Sequence, residues 1–369
     1  MRISTVNLPP GVLMFNFLNK KESHNFCCTI PSTELNISEN GKVSFCCTSW
    51  QPHYLGNANS QTLLELMENS NALKIQRSVD FGDFSFCKKN LCPSLVAQNV
   101  KNILTQPLAQ TQLPPWTQSK KLTLYLNYDK SCNLRCPSCR NDFIFYRKEQ
   151  LPDGLRRTHE AVVANIFELL SLGYHLRLNI TGSGDPFASA VYSELMEEIC
   201  KHPNVTLSLQ TNGILMTQER FHRSLKEKTE SINVSVDAGT ETTYEKLRPG
   251  GKWAQLIKNI QHLDRSVLQK ELPRLTSWQL NFIVQNENYE EIPNFLAWVF
   301  ELPSKPHIWF NLIDDWGHLG RSQFNQKAIW KTSHPKHQDF LQTLTQIPKE
   351  HPQIMKSNLM RFYAREESY

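Results

Sequence analysis

The sequence lacks three features that would assign it at once to a broad class. Its 369 residues contain no run of about 18 consecutive apolar residues, so we expect no membrane-spanning helix. Arg2 is the only basic residue before the apolar patch at 12–18, and no small-residue cleavage site follows, so we expect no secretion signal. The 40 Lys and Arg residues exceed the 35 Asp and Glu residues without forming runs of like charge. This mild excess does not by itself indicate a nucleic-acid partner.

What remains is the composition of a folded globular chain. Hydrophobic residues make up 40% of the sequence and charged residues 20%, which is too apolar for a disordered protein. At about 150 residues per domain, the length predicts two domains or three. We therefore expect a cytoplasmic protein with neither a membrane nor nucleic acid among its partners.

The ten cysteines are the most informative count. Six lie between residues 27 and 92, three lie between 132 and 139, and Cys200 stands alone. Without a secretion signal a disulfide framework is not expected, because the cytosol keeps thiols reduced. Clustered cysteines in a reducing compartment indicate metal binding.

A regular alternation of strands and helices begins after a polar, proline-bearing segment at 96–120, which we interpret as a linker. Six strand patterns alternate with helical ones, and they lie at 122–127, 175–181, 205–210, 232–237, 280–285 and 308–313. This order predicts an α/β fold with a parallel sheet, arranged as a partial or full barrel. Chemistry in such barrels lies at the carboxyl ends of the strands.

A loop with the spacing C-x3-C-x2-C directly follows the first predicted strand. Its cysteines are Cys132, Cys136 and Cys139. A structural zinc site normally has four protein ligands, whereas three thiolates leave one metal corner open to a small molecule. Iron–sulfur clusters are held by thiolate runs of this kind.

This loop resembles the signature of the radical S-adenosylmethionine (SAM) superfamily. The resemblance implies a partial (β/α)6 TIM-like barrel over residues 121–313, in which the three cysteines hold a [4Fe–4S] cluster and SAM binds the fourth iron. One departure is Ser138, where the family usually has an aromatic residue. A zinc knuckle is the alternative.

Further motifs at the strand ends extend the resemblance. The segment 181–186, TGSGDP, is similar to the family's Gly-Gly-Glu-Pro segment, with Asp185 in place of Glu, although an ordinary glycine turn is the alternative. Arg248 is a candidate for the SAM carboxylate, and a solvated surface arginine is its alternative. The implied SAM contacts are Gly182, Ser183, Gly184, Asp185, Asn212, Ser235, Asp237 and Arg248.

The N-terminal cysteines resemble a second motif. Cys28, Gly41 and Cys46 match the C-x(9–15)-G-x4-C opening of SPASM and twitch domains, and Cys87-x4-Cys92 continues the match. The resemblance implies a small cysteine-rich domain over 21–95 with a second, auxiliary [4Fe–4S] cluster. Its expected ligands are Cys28, Cys46, Cys87 and Cys92.

Several points about this domain stay open. Cys28 is preferred to Cys27, and Cys46 to Cys47, on their spacing to Pro31, Leu35 and Gly41. A four-thiolate zinc ribbon is the alternative metal site. In most of the family the domain follows the barrel, and its full pattern has seven cysteines. Cys200 is expected to be a small buried thiol, with a hydrogen-atom donor as the alternative.

The resemblance implies an enzyme that reductively cleaves SAM to a 5′-deoxyadenosyl radical and abstracts a substrate hydrogen atom, with flavodoxin or ferredoxin as the electron donor. Our first hypothesis for the substrate is a ribosomally made peptide, modified by epimerisation, crosslinking or another C–H reaction. A dehydrogenase or epimerase of a sugar, aminocyclitol or other small molecule is the alternative. A non-catalytic metal-binding interaction module is the alternative from a different class.

The residues after the last strand form a C-terminal extension over 314–369. It opens with the segment 314–318, DDWGH, which we expect to face the barrel mouth. This segment offers carboxylates and a possible base, although it could merely close the barrel. No catalytic residue is assigned from the sequence.

Overall fold

The computed structural model describes residues 28–92, 94–95, 119–180, 183–315, 318–348, 351–356, 359 and 362. The chain divides into two compact units, one formed by Met1–Tyr125 with Arg157–Leu176 and the other by Leu126–Arg156 with Arg177–Tyr369. Cys27, Gly182 and most of the predicted linker lie outside the described residues. None of the described helices is both long and apolar enough to cross a membrane.

The first unit contains a small antiparallel arrangement and several helices. Strand β1 pairs with β2, and β2 pairs with β3. The turn between β1 and β2 uses left-handed backbone at Asn40 (φ 57°) and Gly41 (φ 75°). The elements are α1 (Ile30–Thr33), β1 (Glu34–Ser38), β2 (Lys42–Ser44), β3 (Gly56–Asn57), α2 (Leu63–Glu68), α3 (Ser70–Asp80), β4 (Lys121–Asn127), α4 (Asp153–Ser171) and β5 (His175–Ile180). The last three run across the division between the units.

The second unit repeats strand and helix. Strands β6, β7, β8, β9 and β10 pair in that order, each parallel to the next. The elements are α5 (Ala190–Ile199), β6 (Val205–Thr211), α6 (Gln218–Ser224), β7 (Thr229–Ser235), α7 (Glu241–Leu247), α8 (Trp253–Leu268), β8 (Ser277–Val284), α9 (Ile292–Phe300), β9 (His307–Leu312), α10 (Arg321–Lys327), α11 (His337–Leu344) and β10 (Ile354–Lys356).

The prediction of an α/β fold with mostly parallel strands is confirmed, and all six predicted strands are present. The fourth of them was predicted to reach Asp237 but ends at Ser235. Asp237 has a φ of 60°, which is left-handed backbone that a strand cannot contain. Strand β10 was not predicted, and it pairs with β9 through Ile354 and Ile308.

The parallel strands have one apolar face and one polar face. On the apolar face Phe282 of β8 contacts Phe295 of α9, with 4.9 Å between ring centroids, and both side chains are fully buried. The alternate positions carry polar residues, because successive side chains of a strand point to opposite faces. Cross-strand registers align Gln210 with Asn233, Asn233 with Gln279, and Gln279 with His307. The helices therefore cover one face, and the other is left hydrophilic.

Candidate functional site

The three-cysteine loop leaves the carboxyl end of β4 as a compact turn. Cys132 N–H donates to the Ile144 carbonyl at 2.7 Å, and Cys139 N–H donates to the Cys136 carbonyl at 2.8 Å. Cys132 is buried, Cys136 half-buried and Cys139 exposed. The solvent exposure of the three cysteines thus increases from Cys132 to Cys139.

Each of the three sulfur atoms lies within hydrogen-bonding distance of an N–H donor. Cys132 Sγ faces Leu134 N at 3.4 Å and Asn212 Nδ2 at 3.7 Å. Cys136 Sγ lies 3.9 Å from a guanidinium nitrogen of Arg248. Cys139 Sγ lies 3.6 Å from a guanidinium nitrogen of the adjacent residue 140. Donors directed at sulfur suit thiolates that carry negative charge, as cluster ligands do.

Burial disfavours the charged thiolate form of two of these cysteines. Burial raises the pKa of the Cys136 thiol to about 11, although Arg248 lowers it. Burial also raises the pKa of Cys132, and the nearby Asp185 raises it further. Because the thiolate is the metal ligand, cluster binding here must release protons. The loop, with its thiols and donors, fits a three-thiolate cluster site.

A buried carboxylate that the sequence analysis missed holds this loop. Asp129 is 1% exposed, and its Oδ1 accepts from Ser131 N at 2.9 Å and from Ser131 Oγ at 2.8 Å. Its Oδ2 accepts from Ser189 Oγ at 2.5 Å. Tyr192 OH donates to the Leu126 carbonyl at 2.9 Å, which ties α5 to the end of β4. The Asp-x-Ser sequence at the strand end was a local signal for such a turn.

The segment after β5 lies directly against the cysteine loop. Ser183 Oγ donates to the carbonyls of Asn127 at 2.8 Å and Asp129 at 2.9 Å. A Cβ at Gly184 would lie 2.4 Å from the Ser131 carbonyl oxygen, so only glycine fits there. Gly182, the other predicted glycine contact, lies outside the described residues.

Asp185 is fully engaged by the protein. It is 1% exposed and accepts from Thr211 Oγ1 at 2.8 Å, Asn212 N at 2.7 Å and Phe187 N at 3.0 Å. Burial raises the pKa of this carboxyl group, and these hydrogen bonds lower it. Its carboxylate joins the end of β5 to the end of β6. The contact with SAM that was expected of Asp185 stays a prediction.

Asp237 and Arg248 form a buried ion pair beside Cys136. Arg248 Nη2 lies 2.5 Å from Asp237 Oδ2, and both side chains are less than a tenth exposed. Burial alone would lower the pKa of the Arg248 guanidinium, but Asp237 and then Cys136 raise it above its ordinary value. The alternative of a solvated surface arginine is therefore wrong, since the residue is 8% exposed.

The other predicted contacts lie around the same strand ends. Asn212 Nδ2 donates to Asn133 Oδ1 at 2.9 Å, within the cysteine loop. Ser235 is the last residue of β7 and pairs in register with Asn281 of β8. His318 Nε2 lies 3.2 Å from the Pro137 carbonyl oxygen, so the segment after β9 reaches the cysteine loop. Of that segment, residues 316–317 lie outside the described residues, and Asp314 and Asp315 are exposed.

In the first unit, Cys28, Cys46, Cys87 and Cys92 lie near one another. Burial raises the pKa of Cys28 to about 12, and the charges of Cys92 and Cys87 add to that effect. Burial also raises the pKa of Cys46, with contributions from Cys28, Cys47 and Cys92. Three of these cysteines, 28, 87 and 92, pack against one apolar cluster. The four thiols that were expected to bind a cluster are thus neighbours in space.

In the part of the chain that the structure describes, no three Cys, His, Asp or Glu side chains are placed to hold one metal ion. Cys200 lies at the end of α5 and is half-buried, and burial raises its pKa to about 11.

Sequence families match the two cysteine-containing regions separately. The family described as "Radical SAM superfamily" matches residues 127–299, and the SPASM family, described as "Iron-sulfur cluster-binding domain", matches residues 27–93. Together these matches cover both groups of cysteines.

Curated relatives resemble about half of the chain. A "Probable GTP 3',8-cyclase" of Methanococcus maripaludis (strain C6) is 25% identical over 169 residues, which are 46% of this chain and 51% of that protein. The "PqqA peptide cyclase" of Gluconobacter oxydans (strain 621H) is 28% identical over 186 residues, which are 50% of this chain and 47% of that protein. The chain therefore spans about half the length of the curated relatives it matches.

Among solved structures, Streptococcus suis SuiB bound to precursor peptide SuiA is similar, with a TM-score of 0.41 and 12% identity. The match covers 82% of this chain and 67% of that one.

The close approach at Gly184 yields a first prediction. In Gly184→Ala the new methyl group meets the Ser131 carbonyl, so the cysteine loop must shift and its cluster should be lost. Iron content after anaerobic reconstitution should fall by about four per chain, the number in one [4Fe–4S] cluster. Gly320→Ala is the matched control, because nothing lies within 4 Å of its Cβ position. Full iron content in Gly184→Ala would contradict the prediction.

A second prediction separates the paired cysteines of the first unit. Cys46 shares an electrostatic environment with Cys28 and Cys92, so Cys46→Ser should lose the auxiliary cluster. Cys47→Ser should keep it and serves as the matched control. Iron counting with Mössbauer spectroscopy measures the outcome, and loss of the cluster in Cys47→Ser alone would reverse the assignment.

Proposed function

We propose that this protein is an enzyme which uses SAM to modify a C–H bond of its substrate. The premise is that the chain belongs to the radical SAM superfamily and carries a SPASM-type iron–sulfur domain before the radical SAM domain. When bound, the cluster and SAM supply a 5′-deoxyadenosyl radical that removes a hydrogen atom from the substrate. The two domains are proposed to occupy residues 21–95 and 121–313, with a linker at 96–120 and an extension at 314–369.

One observation carries the proposal: three thiols of a single loop each face an N–H donor at the carboxyl ends of parallel strands. We assign Cys132, Cys136 and Cys139 as the ligands of the SAM-binding cluster. Asn212 orients the loop through Asn133 and the Cys132 sulfur. N–H donors directed at the sulfur atoms stabilise the negative charge of cluster thiolates.

A second [4Fe–4S] cluster is assigned to Cys28, Cys46, Cys87 and Cys92. The mutual effect of their charges supports this assignment. Four thiolates from separate parts of the unit, bound to one cluster, would also stabilise its fold.

The polar face of the sheet favours a substrate with neutral hydrogen-bonding groups. The register carries amides across three strands, with Gln210 beside Asn233 and Asn233 beside Gln279. One step nearer the carboxyl ends, Asn281 lies beside Trp309. Amide side chains both donate and accept, which suits peptide groups. We therefore propose a peptide substrate, the class that the name of the Gluconobacter relative also contains.

Among the described residues of this face, Arg177 and His307 offer no free positive charge to a nucleoside triphosphate. Arg177 lies 3.9 Å from Glu230 and donates to Ser231 Oγ at 3.2 Å, so its charge is matched within the protein. Burial lowers the pKa of His307, which keeps that ring neutral near pH 7. A triphosphate would need several unmatched cations.

The electron donor is proposed to be a reduced flavodoxin or ferredoxin. Cys139 is exposed, so the cluster would have one edge open to a redox partner. We propose a cytoplasmic location because free thiols need a reducing compartment.

A third prediction tests the chemistry itself. Under anaerobic conditions with dithionite, the protein should release 5′-deoxyadenosine from SAM and contain about eight irons, as expected for two [4Fe–4S] clusters. Replacing Cys132, Cys136 and Cys139 together by Ala should abolish release and leave about four irons. Cys200→Ala is the control that keeps both. Zinc in place of iron, or release by the triple variant, would refute the proposal.

A fourth prediction tests the substrate class. With SAM and a reductant, a short precursor peptide encoded beside this gene should be modified, whereas GTP and sugars should not. Mass spectrometry detects crosslinking as a change in mass and epimerisation as gain of deuterium when the reaction is run in D₂O. Asn233→Leu removes an amide from the polar face and should reduce peptide turnover about tenfold, the effect of one hydrogen bond. The exposed Asn71→Leu is the control. Turnover of a sugar or aminocyclitol instead would favour the small-molecule alternative.

A further inference from the structure

Arg248 is held at both ends of its guanidinium group. Nη2 lies 2.5 Å from Asp237 Oδ2, and Nη1 lies 3.9 Å from Cys136 Sγ. The side chain is 8% exposed. The guanidinium therefore links a buried carboxylate to a sulfur of the cysteine loop, 112 residues away in sequence.

The carboxylate partner is itself fixed. Asp237 has left-handed backbone with a φ of 60°, which is unfavourable for a residue with a side chain. Its Oδ1 accepts from Ile283 N at 2.7 Å, and its carbonyl oxygen accepts from Asn288 Nδ2 at 2.8 Å. These contacts with the end of β8 and the following turn keep Asp237 in position.

The backbone around Arg248 is fixed against the cysteine loop. Arg135 N–H donates to the Pro249 carbonyl at 3.0 Å. A Cβ at Gly250 (φ 99°) would lie 2.9 Å from the Asn133 carbonyl oxygen. Arg248 is thus held through the backbone that follows it and, at its side chain, through Asp237.

The second arginine of the site differs in its partners. Arg140 approaches Cys139 Sγ at 3.6 Å, but its other contacts are the carbonyls of Lys130 and Ser183. Carbonyl oxygens carry no net charge, and Arg140 is only half-buried. Of the two arginines, only Arg248 is both buried and held by a side chain of opposite charge, that of Asp237.

An N–H donor beside a cluster thiolate stabilises the reduced state more than the oxidised state. Reduction adds one electron, and that negative charge is spread partly over the sulfur ligands. Hydrogen bonds to sulfur and burial are among the factors that set the potentials of iron–sulfur clusters. Low-dielectric surroundings strengthen the effect.

We propose that Arg248, fixed by Asp237, is a positioning residue for Cys136 and raises the reduction potential of the SAM-binding cluster, instead of binding the SAM carboxylate. The inference depends on the proposed function, because it needs the cluster to be present. The electron comes from the external reductant already named. Arg248 contributes a directed donor and neither gains nor loses a proton.

The test must separate this role from a contact with SAM. Nε of Arg248 is buried and has no hydrogen-bond partner among the described residues, so a SAM contact through that atom is the rival explanation. The two roles predict different measurements: a potential change without SAM, or an affinity change for SAM.

The experiment is an EPR-monitored redox titration of the full-length, reconstituted protein in the absence of SAM. The SAM-binding cluster is identified by the spectral change that SAM later produces. Arg248→Gln should retain iron and shift the midpoint of this cluster to a more negative potential, with SAM affinity changed less than about threefold. Asp237→Asn, which leaves the Arg248 charge unmatched, should shift it the opposite way. The exposed Arg265→Gln is the control.

Two outcomes would overturn the inference. An unchanged or more positive midpoint in Arg248→Gln would do so, as would a tenfold or greater loss of SAM affinity. If Arg248→Gln loses its cluster, Arg248→Lys replaces it in the test. Lysine keeps the positive charge but lacks the two guanidinium nitrogens that contact Asp237 and Cys136, so its midpoint must lie below that of the unaltered protein. Failure of the proposed function is distinct, because the unaltered protein would then bind no cluster or release no 5′-deoxyadenosine.

Discussion

A buried carboxylate is stable only when hydrogen bonds replace the water it has lost. In this protein a buried aspartate follows the carboxyl end of each of three strands. Asp129 follows β4, Asp185 follows β5 and Asp237 follows β7, and each is at most 5% exposed. Each accepts hydrogen bonds from a neighbouring loop, helix or strand end. The hydrogen bonds to these carboxylates therefore connect the loops at the strand ends, and the cysteine loop packs against these loops.

The hydrogen bonds between these loops also determine which donors face the sulfur atoms. Asn212 reaches Cys132 because its backbone N–H is held by Asp185, and Arg248 reaches Cys136 because its other nitrogen is held by Asp237. Donors fixed in advance lose little freedom when a charged ligand binds. The carboxylates therefore act on the thiols indirectly, through the donors that they orient.

The two faces of the sheet have different roles: one packs against helices, and the other is proposed to bind the substrate. The apolar face packs against helices, as Phe282 does against Phe295, and supplies the buried area that stabilises the unit. The opposite face carries the amides of Asn233, Gln279 and Asn281. Gln279 Nε2 donates to Asn281 Oδ1 at 2.9 Å, and the remaining amide groups are proposed to bind a substrate. A parallel strand with both faces covered would be apolar throughout, so the alternation in these strands indicates a hydrophilic interior.

Local sequence determined the parts of this protein that depend on short spacing. The C-x3-C-x2-C loop, six of the parallel strands and the SPASM-like pattern were predicted, because three thiols within eight residues and alternating polarity are local properties. Tertiary structure decided how distant residues combine. The partners of Asp185 and Arg248 depend on burial and on residues far away in the chain, as with Arg248 and Cys136. Spacing within the sequence does not contain that information, because free energies of burial and pairing are set only when the strand ends come together.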